Sequence, residues 1–156
     1  MSQNQKNLSS PPAMGDAAHA TRSHFCGHSS QTLRQLILTA AQEVIADRSI
    51  RLEIDIPATV DCPLAPQTTS SLVRSLVRSS LECATDTREL LITVCSLDET
   101  FEIEVADDGP MLQQRPQRFP LAAAAAGAEV MWQDCPQGGV AVTAILTRNN
   151  RARLAA

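Results

Sequence analysis

Residues 101–111 read FEIEVADDGPM. This stretch decides the fold because its predicted strand is followed directly by a turn that contains two adjacent aspartates. Apolar residues alternate with polar or small ones over its first six positions, which is the period-2 pattern of a half-buried strand. Asp-Asp-Gly-Pro, at 107–110, then ends the strand. An aspartate there can accept hydrogen bonds from a ligand's exocyclic amine, and Gly109 lets the backbone pass close beneath it. The alternative is that Asp-Asp-Gly-Pro is only a polar turn.

Composition limits the classes of protein to consider. The chain has 156 residues, of which 44% are hydrophobic and 3% aromatic, so we expect one domain with an aliphatic core. A net charge of -4 gives no reason to expect a nucleic-acid partner. No apolar run approaches the roughly 20 residues that span a bilayer, and no signal peptide is evident, so we expect no membrane partner. Five scattered cysteines are typical of reduced thiols, which predicts a cytoplasmic protein.

The two ends of the chain differ in composition from its middle. Residues 1–29 are polar and small, and we expect a disordered leader there; residues 149–156 are predicted to form a flexible tail. Within the leader, His24, Cys26 and His28 alternate as metal ligands sometimes do. A flexible tail with isolated ligand-type residues is the favoured interpretation, because nothing nearby would fix the geometry of a site.

Hydrophobic periodicity predicts the order of elements in residues 30–148. Short connections at 98–99 and 136–139 predict two antiparallel hairpins, and one-sided apolar stripes on the helices predict that they cover one sheet face. The fold class is therefore an α/β two-layer sandwich, with a mostly antiparallel mixed sheet and three helices on one face. The predicted elements are a helix from Ser30, a strand at 50–56, a helix at 68–84, strands at 89–96 and 100–106, a helix at 117–126, and strands at 128–133 and 139–147.

This order, with DDGP after the second hairpin strand, resembles the ATP-binding domain of histidine kinases, which share the GHKL or Bergerat fold with DNA gyrase and MutL. The resemblance covers nearly all of residues 30–148. Residues 30–57, SQTLRQLILTAAQEVIADRSIRLEIDIP, look like the entry helix and first strand. Residues 70–85, SSLVRSLVRSSLECAT, look like the second helix, which carries the N box. FEIEVADDGPM looks like the G1 box, and residues 126–148, AGAEVMWQDCPQGGVAVTAILTR, like the closing hairpin.

The resemblance implies a nucleotide pocket whose adenine end is better preserved than its phosphate end. Asp107 stands where the family's G1 aspartate binds the adenine amino group, and Gly109 matches the glycine that follows. The motif's second glycine is Met111 here. By resemblance, the cofactor is ATP or ADP. No glycine occurs between Gly109 and Gly127, so the glycine-rich lid that cradles phosphates in the family is missing.

The N box departs further from the family's pattern. Ser75 and Ser79 stand at the positions of its two asparagines, the second of which holds Mg²⁺ in the family. A serine hydroxyl is a poorer Mg²⁺ ligand than an amide carbonyl oxygen, so we assign no metal ligand. An alignment shifted by one residue would place Ser80 there. Glu82 stands where a basic residue often lies near the phosphates, and its charge would repel them.

Three functions are considered, and we expect the first. It is a degenerate histidine-kinase-type domain that acts as a regulatory or protein-binding module in two-component signalling, as a pseudokinase without ATP hydrolysis. Its expected partner is a protein: a response regulator, a kinase or a sigma-factor system. The alternative is an active ATP-dependent kinase, of the histidine kinase or anti-sigma-factor serine kinase type, with a short lid. A histidine phosphotransferase is a third hypothesis. Like a complete histidine kinase, it needs a helical hairpin with a phospho-accepting histidine, and we expect none before residue 30.

Overall fold

The computed structural model describes residues 30–82, 86–116 and 118–147. The predicted leader, with His24, Cys26 and His28, and the predicted tail lie outside the described residues, so those domain boundaries stay predictions. Within the described ranges, no helix is both long enough and apolar enough to cross a membrane.

The described residues form a five-stranded sheet with the order β1-β2-β3-β5-β4. Its strands β1 and β2 are parallel, and every other neighbouring pair is antiparallel. The predicted mixed, mostly antiparallel sheet is therefore confirmed, including the antiparallel pairing of the two strands joined around residues 98–99. The strands are β1 at Arg51–Asp55, β2 at Glu89–Ser96, β3 at Thr100–Asp107, β4 at Glu129–Asp134 and β5 at Val140–Thr147.

Three α-helices of the described ranges cover one face of this sheet: α1 at Ser30–Ile45, α2 at Pro66–Leu81 and α3 at Leu121–Ala126. The central helix is α2, which contacts both other helices and strands β3 and β5. It begins at Pro66, earlier than the predicted residue 68, because proline suits the first turn of a helix. The third helix is shorter than the predicted 117–126. Proline does not fit a helix interior, so Pro120 instead precedes its first residue.

The core face of the sheet is built from rows of apolar side chains, most of them aliphatic. One row crosses all five strands, because the register pairs its members side by side; it consists of Ile54, Ile92, Val105, Val142 and Trp132. Phe101 has the greatest volume among the fully buried side chains of the described part. Alternate residues of β3 from Phe101 onward are all buried, and the last of them is Asp107. Strand geometry thus directs a carboxylate into the layer between sheet and helices.

Glycines shape both the end of α3 and the turn of the closing hairpin. Gly127 ends α3 in the left-handed region, with φ 69°, a conformation that glycine adopts readily at the end of a helix. Gly139 also has a positive φ, of 83°, and its α-carbon lies against the paired-acid turn. A Cβ added to Gly139 would lie 1.7 Å from the Asp107 carbonyl oxygen. The backbone of the closing hairpin therefore packs against the backbone of the paired-acid turn at a distance that only glycine permits.

We predict that Gly139→Ala destabilises the protein far more than Gly138→Ala. Both positions have positive φ, for which a side chain costs about 1–2 kcal/mol, but a Cβ at Gly138 has no atom within 4 Å. Only at Gly139 must the backbone of Asp107 also move. Urea unfolding of both variants measures the difference. Equal losses of unfolding free energy would show that the close approach to Asp107 has no energetic consequence.

Candidate functional site

Asp107 is the residue of the paired-acid turn that faces the helices. It is the last residue of β3, and its side chain is fully buried, with 0% exposure. A carboxylate in such a place is costly unless its oxygens are hydrogen-bonded or paired with a cation. The site is therefore defined by the groups that satisfy this carboxylate.

Arg115 supplies the cation. Its guanidinium makes two parallel hydrogen bonds to the Asp107 carboxylate: Nη1 donates to Oδ2 at 2.7 Å, and Nη2 donates to Oδ1. The side chain of Arg115 is only 2% exposed. This fork-on-fork geometry is the strongest form of arginine–carboxylate pair, and burial removes the screening by water. The carboxylate predicted to bind adenine is thus bonded to a side chain of its own domain.

Two further donors complete the carboxylate's shell. The hydroxyl of Ser80, on α2, donates to Oδ2. The amide of Gly109 donates to Oδ1 at 2.8 Å, which closes the turn on its own aspartate. Each carboxylate oxygen therefore accepts one bond from the guanidinium and one from another donor.

The same guanidinium also holds backbone carbonyl groups. Its Nε donates to the Pro110 carbonyl at 2.5 Å, and Nη1 donates to the Ser80 carbonyl at 3.2 Å. Arg115 thereby links the end of β3, the C-terminal part of α2 and the segment after the paired-acid turn. We call residues 108–120 the lid segment; it begins at the second aspartate of the paired-acid turn and ends before α3.

The lid segment has additional contacts with β4 and α2. It contains a 3₁₀ turn at Leu112–Gln114, which sequence periodicity did not predict. The amide of Leu112 donates to Asp134 at the end of β4, at 2.7 Å. Near its other end, Arg118 forms an ion pair with Glu82, the C-cap residue of α2. Nη1 of Arg118 lies 3.7 Å from Oε2 of Glu82, and both side chains are exposed. The segment is thus fixed to β4 as well as to α2.

The two aspartates of the turn have different partners. Asp108 is exposed, and its Oδ1 accepts the backbone amides of Arg88 at 2.9 Å and Glu89 at 3.1 Å. It therefore fixes the start of β2 to the end of β3. Asp107 faces the helices and Asp108 does not, because consecutive side chains of a strand point to opposite faces.

The predicted N-box residues lie on α2, but the hydrogen-bond donors to the Asp107 side chain come from Ser80, Gly109 and Arg115 and from neither of them. Ser75 and Ser79 are half-buried, and their roles in cofactor binding stay predictions. Ser80, which a one-residue shift of alignment puts in their place, is the serine whose hydroxyl reaches the carboxylate. Gly109 does lie at the site, through its amide. Of the four predicted cofactor-binding residues, the structure therefore brings Asp107 and Gly109 together.

Sequence reasoning missed Arg115. It lies in a segment interpreted only as a polar loop, where no periodicity indicates which way a side chain points. The alternation of buried and half-buried residues along β3 could have predicted a cationic partner. Ile103 and Val105 are buried, and continuing the same alternation by two residues buries Asp107. A buried carboxylate requires a cation, and Arg115 and Arg118 are the nearest arginines in sequence after it.

A groove of about 450 Å³ adjoins the turn on the open face of the sheet. It includes the acidic residues Glu53, Glu89 and Asp108 beside the apolar Leu91 and Ala106. Within residues 30–82, 86–116 and 118–147, no group of three or more His, Cys, Asp or Glu is arranged to hold a metal ion.

Comparison with solved structures identifies the class of fold: it is the fold of histidine kinase catalytic domains. A mycobacterial sensor histidine kinase, MprB, matches with a TM-score of 0.55 and 13% identity, over 74% of this chain and 93% of that one. The nucleotide-free catalytic domain of the histidine kinase ThkA matches with a TM-score of 0.59 and 12% identity, over 80% and 95%. The Acinetobacter baumannii kinase AdeS matches with a TM-score of 0.56 and 13% identity, over 77% and 65%. No protein-family model and no curated protein sequence matches the chain.

We predict strong energetic coupling between Asp107 and Arg115. Arg115→Gln leaves a buried carboxylate without its cation, and Asp107→Asn leaves a buried guanidinium without its anion; each should cost about 3–5 kcal/mol of unfolding free energy. The double variant should lose much less than the sum, since it buries no charge. Denaturant unfolding of all four proteins measures the coupling. Arg118→Gln is the matched control on the lid segment, and we expect near-wild-type stability. Additive losses in the double variant would contradict the pairing.

We also predict that Cys135 reacts slowly with thiol reagents. Burial first, and then the carboxylates of Glu104 and Asp107, raise the pKa of the Cys135 thiol above its ordinary value of 9.0. The thiolate is the reactive form, so its labelling at pH 8 should be slower than that of the exposed Cys95. Labelling with iodoacetamide, resolved by peptide mass spectrometry, checks the order. In denaturant the two rates should converge; a faster Cys135 in the folded protein would be contrary to expectation.

Proposed function

We propose that this chain is a degenerate histidine-kinase-type ATP-binding domain that acts as a regulatory or protein-binding module in signalling, without ATP hydrolysis. The observation that carries the proposal is the occupation of Asp107 by Arg115. The carboxylate to which the family resemblance assigns the adenine amino group already has four internal donors.

Displacing Arg115 by a nucleotide would be unfavourable. An amino group is a neutral donor, whereas the guanidinium is a cation held by two charge-assisted bonds in a buried site. The displaced side chain would also release the carbonyl groups of Pro110 and Ser80. A nucleotide would therefore have to replace more interactions than its adenine edge offers, which supports a site that is closed to ATP and ADP.

The phosphate end of the pocket supports the same proposal. Ser75 and Ser79 replace the amide side chains to which the resemblance assigns Mg²⁺ binding. Glu82 stands where the resemblance assigns a basic residue near the phosphates; it is a carboxylate that pairs with Arg118 of the lid segment, so it offers a phosphate no positive charge. The lid segment is short, lacks glycine after Gly109 and is fixed to α2 and β4. Without Mg²⁺ and a phosphate cradle, hydrolysis has no means of charge stabilisation.

The lid segment offers a surface for a protein instead. Phe119 is 54% exposed, Leu121 at the start of α3 is 84% exposed, and Met111 is 41% exposed. Large apolar side chains that a folded domain leaves exposed close together in sequence favour contact with a partner protein. By the family resemblance, that partner is a response regulator, a kinase or a sigma-factor system, and the scattered cysteines favour a cytoplasmic setting.

Nucleotide titration tests the proposal. We expect calorimetry of the full chain with ATP, ADP and a non-hydrolysable ATP analogue, each with and without Mg²⁺, to detect no saturable binding at millimolar ligand. Asp107→Asn should change stability but leave this result unaltered. Saturable binding that Mg²⁺ tightens and that Asp107→Asn abolishes would instead establish the alternative, an active ATP-dependent kinase with a short lid.

A further inference from the structure

The Asp107 site has the chemistry of a receptor for a planar cation. Its carboxylate presents two oxygens side by side, and each already holds a second donor in a fixed place, Ser80 or Gly109. The carbonyl oxygens of Pro110 and Ser80 add acceptors around the same group. Guanidinium matches this set because its N–H groups lie in one plane and carry a delocalised positive charge.

We propose that Arg115 is an internal ligand: the buried Asp107 pocket is a guanidinium-binding site that the chain fills with its own lid segment. The inference rests on the proposed function, because it concerns the regulation of that same site. The pocket is then occupied in the folded chain without any added ligand.

The internal ligand also determines the order of the lid segment. Arg115 bonds to three segments at once: the end of β3 through Asp107, α2 through the Ser80 carbonyl, and the turn through the Pro110 carbonyl. Removing only the guanidinium-bearing part of the side chain breaks all of these links. The Gly109 amide would then be held by a carboxylate that lacks its cation. Occupancy of the pocket and protection of the lid-segment amides should therefore rise and fall together.

Chemical rescue of Arg115→Ala tests the inference. The substitution removes six heavy atoms, and N-ethylguanidinium contains the same atoms in the same order. We expect the melting temperature of the full-chain variant to fall by about 10 °C or more. N-ethylguanidinium at about 10 mM, far below denaturing concentrations, should recover a large part of that loss by binding the folded state.

Two probes and one variant serve as controls. Ethylammonium has the charge without the planar fork, and N-ethylurea has a similar planar shape without the charge. Neither should raise the melting temperature of Arg115→Ala as N-ethylguanidinium does. Arg118→Ala removes a neighbouring arginine whose side chain is 73% exposed, and N-ethylguanidinium should leave its melting temperature unchanged.

Hydrogen exchange supplies a readout that stability alone would not give. Amides of residues 108–116 should exchange faster in Arg115→Ala and slow again with N-ethylguanidinium, while those of β4 and β5 change little. If Arg115→Ala does not fold alone, the readout becomes refolding from urea: recovery with N-ethylguanidinium but not with ethylammonium supports the internal ligand.

The inference is overturned if N-ethylguanidinium has no effect, or if ethylammonium or N-ethylurea acts equally well. These outcomes differ from a failure of the proposed function, because the rescue uses no nucleotide. Saturable binding of ATP to the wild-type chain would contradict the proposed function whatever the rescue shows. Selective rescue without wild-type nucleotide binding supports both.

Discussion

The buried pair of Asp107 and Arg115 is the interaction on which the rest of the site depends. Side chains along β3 alternate between the two faces of the sheet, so the side chain of Asp107, its last residue, points into the layer beneath the helices. An ionised carboxylate there, without a partner, would cost a large share of the stability of a domain of this size. Arg115 removes that penalty, and its geometry in turn dictates that the lid segment folds back toward α2.

The paired-acid turn is held from several directions, and each contact uses a different chemical property. Asp107 is held by its charge, Asp108 accepts hydrogen bonds from the two amides at and just before the start of β2, and Gly139 allows close approach because it has no side chain. A turn that joins the sheet, the helices and the closing hairpin cannot move without disturbing all three. The site is therefore bonded to each of the elements around it, and the exposed apolar Phe119 and Leu121 follow it in the chain.

Most of the fold was predictable from the sequence, because strands and helices repeat their pattern over many residues. The alternation of β3 and the stripe of α2 predicted the layers, and the two short connections predicted antiparallel hairpins. The start of α3 was wrong because alanine propensity at 122–126 suggested a longer helix than Pro120 allows. Asp107 was predicted to be the central residue of a site. Its partner was not, because the direction of Arg115 depends on a non-repetitive loop whose path the sequence pattern does not encode.

An aspartate at the end of this strand therefore does not discriminate between a nucleotide-binding domain and one that binds none. The carboxylate needs donors in either case, since the fold buries it regardless of function. A nucleotide can supply them from outside, and an arginine eight residues further along the chain can supply them from within. The discriminating feature is whether a ligand or the chain itself supplies the cation and the planar pair of donors that face the carboxylate. In this domain Arg115 supplies both, beside the donors from Ser80 and Gly109, and the internal guanidinium therefore carries the proposed loss of ATP binding.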